Sequence, residues 1–435
     1  MTTEKARSSA WRNLVSFCIF GLCNNFAYIV MLSAAQDILK KNEHESYVIE
    51  NATEVTCVPK ITTRICSPTS TGVVLLCNII PCLLIKLLCP FIMHRVPYWL
   101  RHSTVCFTQA SSLIITAFAD SVPLALVGVC LASFSSGLGE TTYLGLAGHY
   151  SKQTIATWSS GTGMAGLVGS FSYAGLTDRH LLGLTPAQAM LVMLVVPALF
   201  MFTYFMLLEH TDMMKQVSFR KSKSGKSIDL GKNNKSSAEG SLKTSSSTSS
   251  AVTLTTPMTF AERIALAKCL LRYMIPLFLV YFAEYLINQG LLELIIFDCS
   301  HGFGTTPAAQ YRWYQVLYQI GVFVSRSSIN FIQLNMLLIA MMPGLQLLNT
   351  VLFLFNAIYA FLPNFAVVAG LVLYEGLIGG GSYVNTFHHI HKKVEPTIRE
   401  FALSTVSLAD SFGIMLAAFA AIPVHNAICA MQWYR

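Results

Sequence analysis

The chain has 435 residues, of which 54% are hydrophobic and only 11% charged, with a mean hydropathy of +0.55. An average soluble domain carries roughly 25% charged residues, so a soluble globular fold is excluded, and a chain this apolar cannot stay solvated as a disordered one either. The formal net charge of +8 lies mostly in loops, where it reports orientation in a membrane rather than an affinity for nucleic acid.

At roughly 20 to 25 residues per crossing, the length accommodates about eleven or twelve helices, a count that favours a transporter. Apolar runs of about twenty residues predict spans 1 to 6 near 11–34, 70–93, 103–122, 124–148, 158–176 and 187–208. Span 1 superficially resembles a secretory signal, since Ser33 and Ala35 follow it at small-x-small spacing. It is longer than the usual h-region of about 7 to 15 residues and carries Asn24 and Asn25 in its middle, so it is expected to stay uncleaved. The stretch 209–262 is rich in Ser, Thr, Lys and Gly, with runs such as KSKSGKS that cannot bury a core, and is predicted to be a disordered basic linker. Its charges suit a solvated tether or contact with an anionic leaflet. Spans 7 to 11 follow near 269–297, 310–332, 334–361, 364–387 and 400–423. The remainder after Ile422, PVHNAICAMQWYR, is too short and polar for a twelfth crossing. The expected fold is therefore all-α and polytopic, with helix bundles at 1–208 and 263–435 joined by the linker, the layout of a major-facilitator-like parallel repeat of two six-helix-type halves.

With the N-terminus in the cytosol, the loops on its side hold nineteen Lys and Arg, against five (Lys40, Lys41, Lys60, Arg64 and Arg179) on the opposite, lumenal side. The loop from 35 to 69 then lies in the lumen, where Asn51-Ala52-Thr53 is a glycan acceptor, while Asn234-Lys235-Ser236 stays cytosolic and unused. Most of the twelve cysteines, Cys429 among them, sit in or beside apolar runs and read as small hydrophobes. Cys57 and Cys66 share one polar lumenal loop and are the pair expected to bridge there if any does.

An ionisable side chain at bilayer depth costs about 2.5 kcal/mol or more, which makes it a functional candidate. Glu140 in span 4, Glu284 in span 7, Glu375 in span 10 and Asp410 in span 11 lie well inside, whereas Glu293, near the lumenal end of span 7, reads as solvated. If the halves repeat, Asn24 and Asn25 in span 1 answer Glu284 and Asn288 in span 7, and Glu140 answers Glu375. Spans 1, 4, 7 and 10 line the cavity of such a fold, so these groups form the expected substrate or proton site. Tyr281, Glu284, Tyr285 and Asn288 recur at helical spacing along one stripe; helix packing through buried hydrogen bonds is the bland reading of that stripe. Lys86 in span 2 and Arg326 in span 8 occupy matching depths nearer the cytosol. Each is either a snorkelling cation or a ligand for an anion, and Arg326 has the fork that holds a phosphate bidentately. His388, His389 and His391 read as part of a basic interfacial loop, and no metal or cofactor is expected. No phosphate loop, nucleophile elbow or zinc motif appears, so an enzyme is not expected.

The strings LCNNFAYIVMLSAAQDIL at 22–39, SSGLGE at 135–140, WSSGTGMAGL at 158–167, VYFAEYLINQGLLEL at 280–294, YRWYQVLYQIGVFVSRSS at 311–328 and YEGLIGGGSYVNTFH at 374–388 resemble the battenin family. The resemblance covers nearly all the spans and fails in the linker, the first lumenal loop and both ends. It implies a major-facilitator-like protein of the lysosomal and late endosomal membrane with a role in clearing glycerophosphodiesters. Battenins can carry an acidic dileucine signal in the linker and a prenylatable C-terminal cysteine. This linker has no Leu-Leu or Leu-Ile pair and the sequence ends Gln432-Trp433-Tyr434-Arg435, so sorting rests on the resemblance and prenylation is not expected.

The expected function is export of glycerophosphodiesters by alternating access, with an intramembrane carboxylate carrying a coupling proton. Four buried acids against two cations suit a proton-linked carrier of arginine or lysine affecting lysosomal pH equally well. The third reading, from another class, is a scaffold that recruits trafficking partners through the linker; it leaves the cost of the intramembrane polar groups unexplained. Glu284 is the acid best suited to take the proton, because it lies mid-span beside Tyr281, Tyr285 and Asn288, and desolvation disfavours a charged carboxylate. The orientation has a direct check: Asn51→Gln should remove a glycosidase-sensitive mass shift and Asn234→Gln should not, whereas a glycan on Asn234 reverses the assignment.

Overall fold

The computed structural model describes residues 2–39, 57–61, 63–67, 69–92, 96–147, 150, 152–179, 181–209 and 260–432. Asn51, Asn234 and almost all of the linker lie outside the described residues. The described residues are helical nearly throughout, in eleven segments that coincide, within several residues, with the predicted spans. In the first half these are α1 (Thr2–Ser33, continued by Ala35–Leu39), α2 (Thr71–Ile92), α3 (Tyr98–Phe118), α4 (Val122–Ala147), α5 (Lys152–Thr177) and α6, which is broken into Pro186–Val192, Val195–Phe202 and a π-turn at Thr203–Leu207. In the second they are α7 (Phe260–Leu286, running on through a π-turn at Ile287–Leu291), α8 (Pro307–Ser327), α9 (Met336–Tyr359), α10 (Phe365–Lys393) and α11 (Pro396–Cys429). Eight of them are long and apolar enough to cross a membrane; α3, α5 and α8 are comparably long but more polar. α11 continues through Pro423 past its predicted end, and His425 in this extension is buried against the Ser67 carbonyl.

Helix starts follow local chemistry. Thr185 and Gln188 form a reciprocal capping box before the first part of α6, and the amides of Leu338 and Val367 donate to Asn335 and Asn364 at the starts of α9 and α10. Pro186, Pro307 and Pro396 occupy first helical positions, where a missing N–H costs nothing.

α1 lies along α5 and α7 along α11; α4 packs on α2 and α3, and α10 on α8. α5 with α8 and α2 with α11 join the two sets of helices. The same positions of the two sets use glycine for close approach. A side chain on Gly161 would strike the Cys18 carbonyl oxygen of α1, and one on Gly413 the Phe278 carbonyl of α7; in the other pairing, Gly137 abuts Cys82 of α2 and Gly376 abuts Tyr318 of α8. Polar side chains gather inside, while Phe107, Phe171 and Leu348 are among the large apolar residues exposed outside, as a lipid-facing surface requires.

Overpacking such a crossing costs about 1 to 3 kcal/mol. Gly376→Ala should therefore lower the thermal midpoint of the detergent-purified protein. Gly370→Ala on the same helix, with open space at its Cβ, should leave it unchanged. Equal midpoints for the two variants would contradict the packing.

Candidate functional site

The polar side chains of the interior fall into a central charged group, a carboxyl group buried in the second set of helices, and a band at the end of the molecule remote from the linker. In the centre, Lys86 Nζ lies 2.9 Å from Glu140 Oε2, joining α2 to α4. Asp410 of α11 is within electrostatic reach of both, so the first and second sets of helices meet here through charge. Its carboxylate also accepts from the Ser411 amide at 2.6 Å and hydroxyl at 3.2 Å. Lys86 thus does not snorkel to a headgroup; its side chain is 16% exposed and its ammonium is paired.

Arg326, in the last turn of α8, has different company. Its guanidinium lies over the Tyr383 ring, 4.4 Å from the centroid, and Nη2 donates to the Tyr281 hydroxyl at 3.1 Å. Its buried Nε has no hydrogen-bond partner, and no described carboxylate forms an ion pair with it. Tyr281 stacks with Tyr285, which meets Tyr28 of α1, so an aromatic wall with contributions from both sets of helices adjoins the guanidinium.

Glu284 and Glu375 are removed from this group by burial, at 1% and 0% exposure. Glu284 accepts from the Tyr318 hydroxyl of α8 and presses on α10 where Gly379 leaves room. Glu375 accepts from Asn288 Nδ2 at 2.8 Å. The second oxygen of each carboxyl is unpartnered. The predicted stripe on α7 is not regular, because the π-turn at Ile287–Leu291 turns Asn288 toward Glu375 and Gln315. Asn24 Nδ2 donates to the Ser136 carbonyl at 3.0 Å, and the Ser136 hydroxyl donates to Asn25 Oδ1 at 3.1 Å, seating α1 on α4. The candidates are therefore brought together as one group of Lys86, Glu140, Asp410, Arg326 and Tyr281, with Glu284 within electrostatic range of Arg326 and Glu375 one layer further in.

Two expectations are corrected at the remote end. Cys57 and Cys66 do not pair with each other: Cys57 bonds Cys299 in the α7–α8 connection, and Cys66 bonds Cys429 at the end of α11. Cys429 looked like a hydrophobe because an apolar run says nothing of which loop folds over its end. Glu293 is not solvated but 4% exposed, because α2 begins directly against it. It accepts from the Ser70 hydroxyl at 2.8 Å and the Thr71 amide at 2.9 Å, and its Oε1 lies 2.9 Å from His425 Nδ1.

The same band contains a bidentate pair that the sequence reading missed. Arg312 of α8 holds Asp37, at the end of α1, through Nη2 at 2.6 Å and Nε at 2.9 Å, with the Tyr173 hydroxyl donating to Asp37 at 2.7 Å. Trp313 Nε1 donates to Asp178, just beyond α5, at 2.7 Å. Charges at span ends read as solvated; the available signal was that Asp37 and Arg312 are opposite charges at the same predicted depth. In the α7–α8 connection, Asp298 titrates at about 2: burial acts to raise it but is outweighed by the His301 amide, the Ser300 hydroxyl and the His301 ring.

A family model described as CLN3 protein matches residues 15–431. Battenin of Canis lupus familiaris is 41% identical over 98% of this chain and 93% of its own length, and protein btn-1 of Neurospora crassa is 34% identical over 96% of this chain and 88% of its own. Among solved structures, a POT family transporter, PepTSo, overlays with a TM-score of 0.57 at 12% identity over 95% of this chain and 90% of that one. A bacterial homolog of the human lysosomal transporter Spinster, inward-facing and unoccupied, gives 0.53 at 13% identity over 93% and 80%. The likeness to these structures is one of fold alone. On the match along nearly its whole length, the chain belongs to the CLN3 protein family.

Proposed function

We propose that the chain is a lysosomal carrier that exports glycerophosphodiesters by alternating access between two halves, 1–208 and 263–435, with a proton carried on Glu284. The observation that carries this reading is Arg326, a guanidinium held by two tyrosines with its Nε unsatisfied and no carboxylate paired to it among the described residues. A planar fork with donors to spare matches the paired oxygens of a phosphodiester. Alternating access is supported by the arrangement of charge: Lys86 and Glu140 belong to one half, Arg326 to the other, and Asp410 meets the first pair across the middle. The lysosomal membrane is supported by the similarity to battenin and by the orientation read from the loops.

The reading as a carrier of basic amino acids is favoured by one feature, that Glu140 and Asp410 share the single ammonium of Lys86 and so leave one negative charge over. Flux into proteoliposomes under an imposed pH gradient separates the two readings, with glycerophosphodiester and arginine as alternative solutes. Arg326→Lys keeps the charge and loses the fork, so it should cost about tenfold or more in glycerophosphodiester flux at normal protein abundance; undiminished flux removes Arg326 from the site. Glu284→Gln should leave a folded protein whose flux no longer changes with lumenal pH between about 5 and 7, and an unaltered pH profile removes the proton from Glu284.

A further inference from the structure

Two opposite charges at the centre stay out of its ion pair. Lys86 is joined to Glu140 at 2.9 Å, Arg326 has no carboxylate paired to it, and among the described residues Asp410 forms no ion pair and accepts only from Ser411, through Oδ1. A guanidinium on α8 and a carboxylate on α11 are left, both half-buried. They do not neutralise each other, and they share one set of tyrosines. Tyr281, Tyr285 and Tyr383 are within electrostatic reach of both charges, and Tyr28 of α1 is within reach of Asp410. Tyr281 stacks with Tyr285 at 6.1 Å between centroids and tilts against Tyr383 at 6.3 Å. The wall therefore runs from the guanidinium over Tyr383, through Tyr281 and Tyr285, to Tyr28 and the carboxylate. Tyr28, Tyr285 and Tyr383 each keep part of their surface open.

We infer that Arg326 and Asp410 are the two ends of one recognition site that selects phosphodiesters carrying a quaternary ammonium group, with the phosphate on the guanidinium fork and the cation against the Tyr28 and Tyr285 rings beside Asp410. This rests on the phosphodiester reading above and narrows it to a zwitterion. A phosphodiester whose second alcohol is neutral compensates Arg326 and leaves Asp410 as an uncompensated charge in the interior, next to an arriving anion. A zwitterion compensates both ends at once. The surplus negative charge that favoured a basic amino acid is then met by the cationic end of the same solute.

The kind of cation follows from which oxygens are already engaged. A primary ammonium has three donors, each needing an acceptor. The Tyr28 and Tyr285 hydroxyls turn to each other, the Tyr281 hydroxyl accepts from Arg326, and Asp410 Oδ1 accepts from Ser411. What remains at this end is ring surface and one carboxylate oxygen. A quaternary ammonium asks for no acceptor and is held by aromatic faces and a nearby negative charge.

The test is flux into proteoliposomes of the full chain at one fixed pH gradient, with three solutes below saturation. They are glycerophosphocholine, its carbon isostere in which a neutral tert-butyl group replaces the trimethylammonium, and glycerophosphoglycerol. The first two share shape and phosphate, so only the cation separates them. Glycerophosphocholine should exceed each of the others by about tenfold or more. Asp410→Asn keeps the size of the side chain and removes its charge, so the ratio of glycerophosphocholine to isostere should fall severalfold; a merely structural defect lowers both fluxes and leaves the ratio. If that variant does not fold, the ratio in the unmodified protein still decides. Equal flux of glycerophosphocholine and its isostere in the unmodified protein overturns the selection and leaves the phosphodiester reading standing. An unaltered ratio in Asp410→Asn overturns the role of Asp410. Movement of none of the three solutes retires the phosphodiester reading, and the inference with it.

Discussion

Charge taken out of water must be compensated on the spot, and this requirement organises the molecule. The effective cost of burying an ion is several kcal/mol, so Lys86 is met by Glu140 and Asp410, Arg312 by Asp37, and His425 by Glu293. Each of these arrangements joins different helices. Together they fix where α2, α4, α8 and α11 stand relative to one another more specifically than apolar contact does, because hydrocarbon packing against lipid has little preference of partner.

The compensations differ between levels of the molecule. At the remote end they bridge the two sets of helices and are reinforced by two disulfides, by the hydrogen bond from Trp313 to Asp178, and by Arg64 reaching the Ile358 carbonyl at 3.1 Å. In the middle they are incomplete. Arg326 is left with tyrosines, and Glu284 and Glu375 each keep an unpartnered oxygen. Unsatisfied buried polar groups are costly in a low-dielectric interior, and the remote end keeps some as well, at Gln289 Nε2 and His425 Nδ1.

The glycine contacts complement this. Gly161 of α5 against α1, Gly413 of α11 against α7, Gly137 of α4 against α2 and Gly376 of α10 against α8 put helix backbones against one another within each set.

The sequence by itself determined the class of protein and the elements, because a bilayer imposes one period and one length, and runs such as 336–359 or 365–390 have no other solution. It also marked Glu140, Glu284, Glu375, Asp410, Lys86 and Arg326 as out of place in such runs, which depth alone reveals. Partnership is a different quantity, set by contacts far apart in the chain. Lys86 and Glu140 are joined by the packing of α2 on α4, so no local pattern distinguished a paired Lys86 from a snorkelling one or an unpaired Arg326 from either. Glu293 and Cys429 were misjudged for the same reason. At the end of a span the sequence shows only where water begins on average, and the tertiary structure decided that α2 and the loop before it cover that end, turning a surface carboxylate into a buried cap and an apolar cysteine into a crosslink.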